Sequence, residues 1–182
     1  VKIGLSGAHG TGKTSFFHAA GKDPFFDDYA FLGSQSRKLA NRLPINTEAT
    51  FQSQAAIMLS MMGREVRNSD LNMLAERTPL DALAYTYYLN RNVFDGKYSA
   101  ELRVAEDAIA DVMKTYDLLI YFPTYWLPED DGVRPTDPQY QKDIAKYVMM
   151  FITKFNIKPF VVQNEPVDKR VDHLVQWMKR KM

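Results

Sequence analysis

Eight residues, GAHGTGKT at positions 7 to 14, constrain this chain more than any other stretch. Their spacing is Gly7, four residues, then Gly12, Lys13 and Thr14, the pattern G-x-x-x-x-G-K-[ST] that turns backbone N–H groups onto phosphate oxygens. Glycine is needed there because the backbone must approach the anion closely and adopt torsions a Cβ would forbid. The loop works only between a strand that feeds it and a helix whose N-terminus attracts negative charge. Both flanks comply. KIGLSG, from Lys2, reads as a strand, and KTSFFHAAG continues the loop as a helix closed by Gly21.

The remaining pattern repeats that alternation. YAFLG at 29–33, LNMLAE at 71–76, LLIYF at 118–122 and FVV at 160–162 are short apolar runs that predict four further strands. Between them Phe51, Ala55, Met58 and Met62 fall at helical spacing within 48–68. Ala105, Ile109, Val112 and Tyr116 mark another helix, as do Ile144, Val148, Phe151 and Phe155. Val171, Leu174, Val175 and Met178 mark the last. Five strands alternating with helices predict an α/β domain, a mostly parallel sheet covered on both faces. Ligands of such sheets sit beyond the carboxyl ends of the strands. The 182 residues show no repeat, low-complexity tract or linker, so one domain over 1–182 is expected.

Composition narrows the chemistry. With no cysteine, disulfides, thiolate zinc sites and cysteine nucleophiles are excluded, which fits a reducing cytoplasm. The formal net charge of +1 gives no global attraction to nucleic acid or to an anionic membrane. No apolar stretch reaches the ~20 residues of a membrane helix. The chain reads as soluble and cytoplasmic, with no membrane partner.

The glycine-rich loop predicts a nucleoside triphosphate held by Gly7, His9, Gly10, Thr11, Gly12, Lys13, Thr14 and Ser15. Lys13 would reach the β- and γ-phosphates and the Thr14 hydroxyl would ligate Mg²⁺. His9 reads as a solvated loop residue without a catalytic role. The third strand runs into ERTPLDALAY, 76–85. There Glu76 is a candidate to hold Mg²⁺ through water, and Arg77 to neutralise phosphate charge by a bidentate contact. Thr78, Pro79 and Asp81 also make a helix start, with Thr78 as N-cap, Pro79 at N1 and an acid at N3. Asp81 is therefore left open between capping and a substrate contact or base. Arg37 and Gln54 are candidates for the acceptor pocket, an exposed helix-face role being equally compatible. Tyr125 and Trp126, just after the fourth strand, either stack on a base or fill an apolar seam. The basic end KRKM suits the C-terminus of a helix.

Taken together, GAHGTGKT, ERTPLDALAY and PEDDGVR (128–134) resemble the P-loop nucleoside and nucleotide kinases, in particular the nicotinamide-riboside-kinase-like and deoxynucleoside-kinase-like branches. The resemblance implies a sheet order of 2-3-1-4-5 and a lid over about 127–138 bearing Arg134 as a charge-stabilising residue. It also implies ATP and Mg²⁺ as cofactors and a nucleoside, nucleoside monophosphate or related nucleotide as acceptor. One departure stands out. Many deoxynucleoside kinases carry a glutamate base soon after the second strand, whereas FLGSQSRKLA here has no carboxylate. Either Asp81 or Glu76 serves as base, or the acceptor is already a phosphate. Two other functions compete. One is a kinase acting on a terminus or a modified base, such as 5-hydroxymethyluracil, within DNA or RNA; the near-neutral charge disfavours it. The other is an ATPase switch module. QNEPVDKR after the fifth strand lacks the guanine-reading N-K-x-D, which favours ATP as donor. The sequence is compatible with a homodimer.

Overall fold

The computed structural model describes residues 1–39, 41–45, 48–127 and 135–181, the side chain of Arg37 excepted. Strand β1 (Lys2–Ser6) passes through the glycine loop into α1 (Lys13–Ala20). A 3₁₀ turn at Pro24–Phe26 leads to β2 (Ala30–Leu32) and a short α2 (Gln35–Leu39). Then follow α3 (Phe51–Arg67), β3 (Met73–Ala75), α4 (Pro79–Asn92) and α5 (Ser99–Met113). The chain closes with β4 (Leu118–Tyr121), α6 (Pro138–Lys154), β5 (Phe160–Val161) and α7 (Val167–Lys181).

The sheet has the order β2-β3-β1-β4-β5, and every described pairing is parallel. Register is set by apolar alternation: Ile3 lies opposite Leu74 and Leu118, and Leu5 opposite Ile120. The central strands are buried on both sides because helices cover both faces, as short apolar runs without alternating polarity require. Alternate residues of β4 feed two cores. Leu118 and Ile120 join Ile3, Leu5, Phe16, Phe17, Val171, Leu174, Val175 and Met178, the layer of α1 and α7. Leu119 and Tyr121 join Ile57, Met58, Met61, Leu83, Ile109, Ile144, Val148 and Phe151, the layer of α3 to α6.

Expected and observed elements differ at several places. Strands β2, β4 and β5 are shorter than the runs 29–33, 118–122 and 160–162. Helix α5 ends at Met113 and buries Leu102, Glu106, Ile109 and Met113, so that Ala105 and Val112 are only half-buried and Tyr116 lies past its end. The third strand is shorter than 71–76, since Leu71 and Asn72 are exposed and only Met73–Ala75 pair. The short α2 was not foreseen. Helix α3 presents a different face from the one its apolar residues outline. Ser53, Gln54, Ile57, Met58, Met61, Arg64 and Glu65 are buried, while Phe51, Ala55 and Met62 are only half-buried. Of the polar members of that face, Gln54 lines the cleft beside the phosphate loop, and Arg64 bonds the ends of β2 and β3. Glu65 pairs with Lys2 at the start of β1, and Ser53 caps its own helix. In α6 and α7 the foreseen stripes are the observed ones, with only Phe155 less than fully buried.

Gly4, in mid-β1, is needed for close approach rather than for a turn. A Cβ built on it would lie 2.3 Å from Thr78 Cγ2 and 2.7 Å from the Tyr116 ring, far inside van der Waals contact. Its missing side chain lets the start of α4 and the end of α5 sit directly on the strand. Among the described residues no helix is long and apolar enough to cross a membrane.

Candidate active site

The glycine loop is shaped by its torsions. Gly7, Gly10 and Gly12 have φ of 144°, 69° and 84°, values that L side chains rarely adopt. A Cβ on Gly7 would also meet the Phe122 carbonyl oxygen at 2.6 Å. Lys13 folds back over the loop: its Nζ donates to the Gly7 carbonyl at 2.7 Å, to the Ala8 carbonyl, and to Thr11 Oγ1 at 3.0 Å. Thr11 Oγ1 in turn donates to the Ala8 carbonyl at 2.9 Å. The first turn of α1 carries no acid, so nothing of its own neutralises the positive end of the helix dipole. This is the geometry of an anion cradle.

Glu76 follows β3 and faces the cradle. Its Oε1 accepts from Thr14 Oγ1 at 2.6 Å and its Oε2 from the Ser34 N–H at 2.9 Å. A hydroxyl and a carboxylate side by side are the hard oxygen donors Mg²⁺ takes, water completing its octahedron. The residues present therefore fit that ion. Arg77 is half-buried on the cleft wall, its guanidinium carbon 5.6 Å from the centre of the Tyr85 ring. Burial alone would lower its pKa, but Tyr85, Asp81 and Glu76 more than offset this and raise it, so Arg77 stays a cation.

Asp81 is 1% exposed. Its Oδ1 accepts from Ser6 Oγ at 2.8 Å and the Gly7 N–H at 2.9 Å, and its Oδ2 from the Thr78 N–H at 3.2 Å. The N3 acid thus caps α4 and fastens that helix to the first residue of the glycine loop. Both oxygens are engaged, which supports the capping side of the choice that the sequence left open.

His9 departs from expectation. It is 4% exposed rather than solvated, because α4 and α6 converge over the loop. Its backbone N–H donates to Tyr85 Oη at 3.1 Å, its Nδ1 lies 3.1 Å from the same oxygen, and its carbonyl accepts from Gln141 Nε2 at 2.9 Å. Its ring centroid sits 5.2 Å from that of Tyr140. Burial pushes the Tyr85 phenol above its ordinary pKa, so Tyr85 is a neutral hydroxyl bridging loop and helix.

The cradle opens into one cleft. Its walls carry His9, Gly10, Thr11, Gly12, Lys13, Thr14 and Ser15 together with Glu76, Arg77 and Asp81. The side of the cleft supplied by the α2–α3 region, its second lobe, carries Ser34, Ser36, Ile45, Gln54, Ile57 and Met61. Gln54, 5% exposed, faces this lobe and not solvent. Tyr125 does not belong to the cleft lining; it is 39% exposed and its hydroxyl donates to the Val162 carbonyl at 3.1 Å. Trp126 lies under the Arg170 guanidinium, 4.4 Å from its carbon. Arg37 has its backbone in α2. Arg134, with most of the expected lid at 128–134, lies outside the described residues.

Three residues in or beside this site were not singled out by the sequence. Arg170, on α7, is 8% exposed and packs against the loop: a Cβ on Gly12 would lie 3.0 Å from its Nη1. Burial lowers its pKa. Tyr85 was legible only as the last letter of ERTPLDALAY. Arg64 of α3 is 4% exposed and bonds the ends of β2 and β3.

A parallel sheet in this order, with a glycine-rich loop between its first strand and first helix and a carboxylate–arginine pair after its third strand, is a P-loop α/β fold. The chain belongs to the family described as "AAA domain", which matches residues 2–170. No curated protein matches it. Among solved structures it is similar to deoxyadenosine kinase from M. mycoides with bound dATP, at TM-score 0.68 and 14% identity, over 98% of this chain and 100% of the other. The same enzyme with bound dCTP aligns at TM-score 0.70 and 14% identity, over 99% and 100%. NadR protein in complex with NAD and AMP-PNP aligns at TM-score 0.70 and 15% identity, over 97% of this chain but 49% of the other. These likenesses establish the fold.

Proposed function

We propose that this protein is a kinase that transfers the γ-phosphoryl group of ATP·Mg²⁺ to a nucleoside, nucleoside monophosphate or related nucleotide. The observation that carries this reading is the single cleft in which the glycine loop, the Thr14–Glu76 pair and Arg77 meet a second lobe lined by Ser34, Ser36, Gln54 and apolar side chains. A hydrolase or switch needs the first part only. The second lobe gives room for an acceptor, and Gln54 offers it an amide that both donates and accepts.

Phosphoryl transfer asks the protein mainly for positioning and charge neutralisation. Lys13 and the loop N–H groups would hold the triphosphate. Thr14 and Glu76 would hold Mg²⁺, which supplies charge compensation between the phosphates. Arg77, kept cationic by its neighbours, would neutralise the group in flight. Asp81 acts by fixing α4 against the loop. Both Glu76 oxygens already accept hydrogen bonds from Thr14 and Ser34, which disfavours Glu76 as the base. The fold shared with deoxyadenosine kinase and NadR supports an acceptor of nucleoside or nucleotide type. The test is incubation with γ-labelled ATP, Mg²⁺ and panels of nucleosides, monophosphates and oligonucleotides. Label is expected in a small-molecule pool. Label only in oligonucleotides would select the polymer-directed alternative, and hydrolysis without any labelled acceptor would refute the kinase reading.

A further inference from the structure

A guanidinium buried below a phosphate site, yet not lining it, calls for a role. Arg64 Nη1 donates to the Gly33 carbonyl at 2.9 Å and to the Leu32 carbonyl at 3.3 Å. Its Nη2 donates to the Arg77 carbonyl at 2.9 Å and to Glu65 Oε1 at 2.9 Å. Leu32 ends β2 and Gly33 follows it; Arg77 lies just past the end of β3. One planar fork thus spans the two strand ends from which the cleft residues project. Ser34, next to Gly33, holds Glu76 Oε2. Glu76 and Arg77 are consecutive. Any slip between β2 and β3 at this level moves the carboxylate and the guanidinium together.

The charge of Arg64 is balanced beside it. Glu65 is 3% exposed and its Oε2 lies 3.1 Å from Lys2 Nζ. Stability alone is a weak reason for such an arrangement, because buried ion pairs replaced by apolar residues of similar size are often neutral or stabilising. Geometry is the better reason. A lysine at 64 would keep a charge but would present one nitrogen in place of the two that Arg64 sets on the ends of β2 and β3 at a spacing fixed by the flat fork.

We propose that Arg64 is a positioning residue for phosphoryl transfer: it locks the Glu76–Arg77 turn against Ser34 and so aims both side chains at the phosphate loop. The inference rests on the reading above, in which Glu76 and Arg77 serve the transferred group and its metal ion. Misplacing reacting groups by about 1 Å costs about a hundredfold in rate, so a residue that touches no ligand can still govern turnover.

The test compares the wild type with Arg64→Lys and with the double variant Arg64→Met/Glu65→Met. The double variant removes the fork without leaving Glu65 buried opposite a missing charge. Four quantities are read: kcat, the Kd of a fluorescent ADP analogue without metal, the Mg²⁺ affinity of the resulting nucleotide complex, and the melting temperature. Both variants are expected to lose at least ~10-fold in kcat. Metal-free nucleotide affinity should stay within about threefold, since the hydrogen bonds of Arg64 go to Leu32, Gly33, Glu65 and Arg77 and not to the glycine loop. Mg²⁺ affinity should weaken several-fold, and the double variant should melt close to the wild type. A folded variant that keeps wild-type kcat and wild-type Mg²⁺ affinity overturns the proposal. So does a loss of nucleotide affinity in step with the loss of kcat, which would mark a general structural role. A wild type that transfers no phosphoryl group sinks the kinase reading alone, because the Mg²⁺ titration still judges Arg64.

Discussion

On the sheet face covered by α1 and α7, the packed side chains are Phe16, Phe17, Phe26, Phe122, Val171, Leu174, Val175 and Met178. On the face covered by α3 to α6 the apolar core is interleaved with buried Gln54, Arg64, Glu65, Asp81, Asn90, Glu106 and Gln141. Away from Lys13 at the start of α1 and Arg170 of α7, the first face removes apolar area from water, worth roughly 1.5–3 kcal/mol per large side chain. The second must also hold charged groups at set distances near the strand ends, and it accepts the desolvation of those groups to do so. Stability and placement are thus divided between the two layers. Variants in one should be separable from variants in the other.

The largest effect should come from the cradle. Lys13→Ala is expected to lower turnover by at least ~10²–10³-fold, with circular dichroism and melting little changed; intact turnover in that variant would end its assigned role. The apolar side chains packed between α1, α7 and the sheet should respond in the opposite sense. Leu174, 0% exposed, should cost ~2–5 kcal/mol of stability as Leu174→Ala, measured by urea denaturation, while the folded fraction retains its kcat. A drop in kcat per folded molecule would blur the division between faces. Arg77→Lys keeps the charge but not the fork, so kcat should fall ~10- to 100-fold with nucleotide affinity nearly constant.

The smallest effect sharpens the comparison within the polar face itself. Glu106, on α5, is paired with Lys154 and accepts from the Tyr87 hydroxyl at 2.6 Å. Burial alone would raise its carboxyl, but the bonds from Lys154 and Tyr87 outweigh that and hold it below the ordinary value. A group lowered in the folded state adds stability above its unfolded pKa, and that contribution disappears as pH falls through the folded one. Glu106→Gln should therefore be slightly less stable at neutral pH. Its stability should also fall less steeply than that of the wild type between about pH 5 and about pH 3. Turnover at neutral pH should not change, since Glu106 lies outside the cleft lining.

The two faces also differ in how far they could be read from sequence. The stripe of α7 was visible as Val171, Leu174, Val175 and Met178 because hydrophobic periodicity reports burial wherever burial is apolar. The same rule misplaced the inward face of α3. There the inward face carries Gln54 toward the cleft and the Arg64–Glu65 pair against the strands. A pattern that counts only apolar letters rotates the helix toward Phe51, Ala55 and Met62. The glycine loop was legible because its torsions demand particular residues at fixed spacing. Glu76 and Arg77 were legible because they adjoin a strand end. His9 and Arg170 were not, since each is buried by elements distant in sequence, α6 for His9 and the loop carrying Trp126 for Arg170. The expected part of Arg134 concerns residues outside those described.

Gly4 carries a consequence for anyone who mutates this chain. With Thr78 Cγ2 at 2.3 Å and the Tyr116 ring at 2.7 Å from where a methyl would stand, the contact works as a gauge block between a strand and two helix ends. Residue 78 opens the helix that bears Asp81. A selection that randomised codon 4 should return glycine alone, and an alanine there should pry the roof from the phosphate loop before it unseats the apolar layer behind.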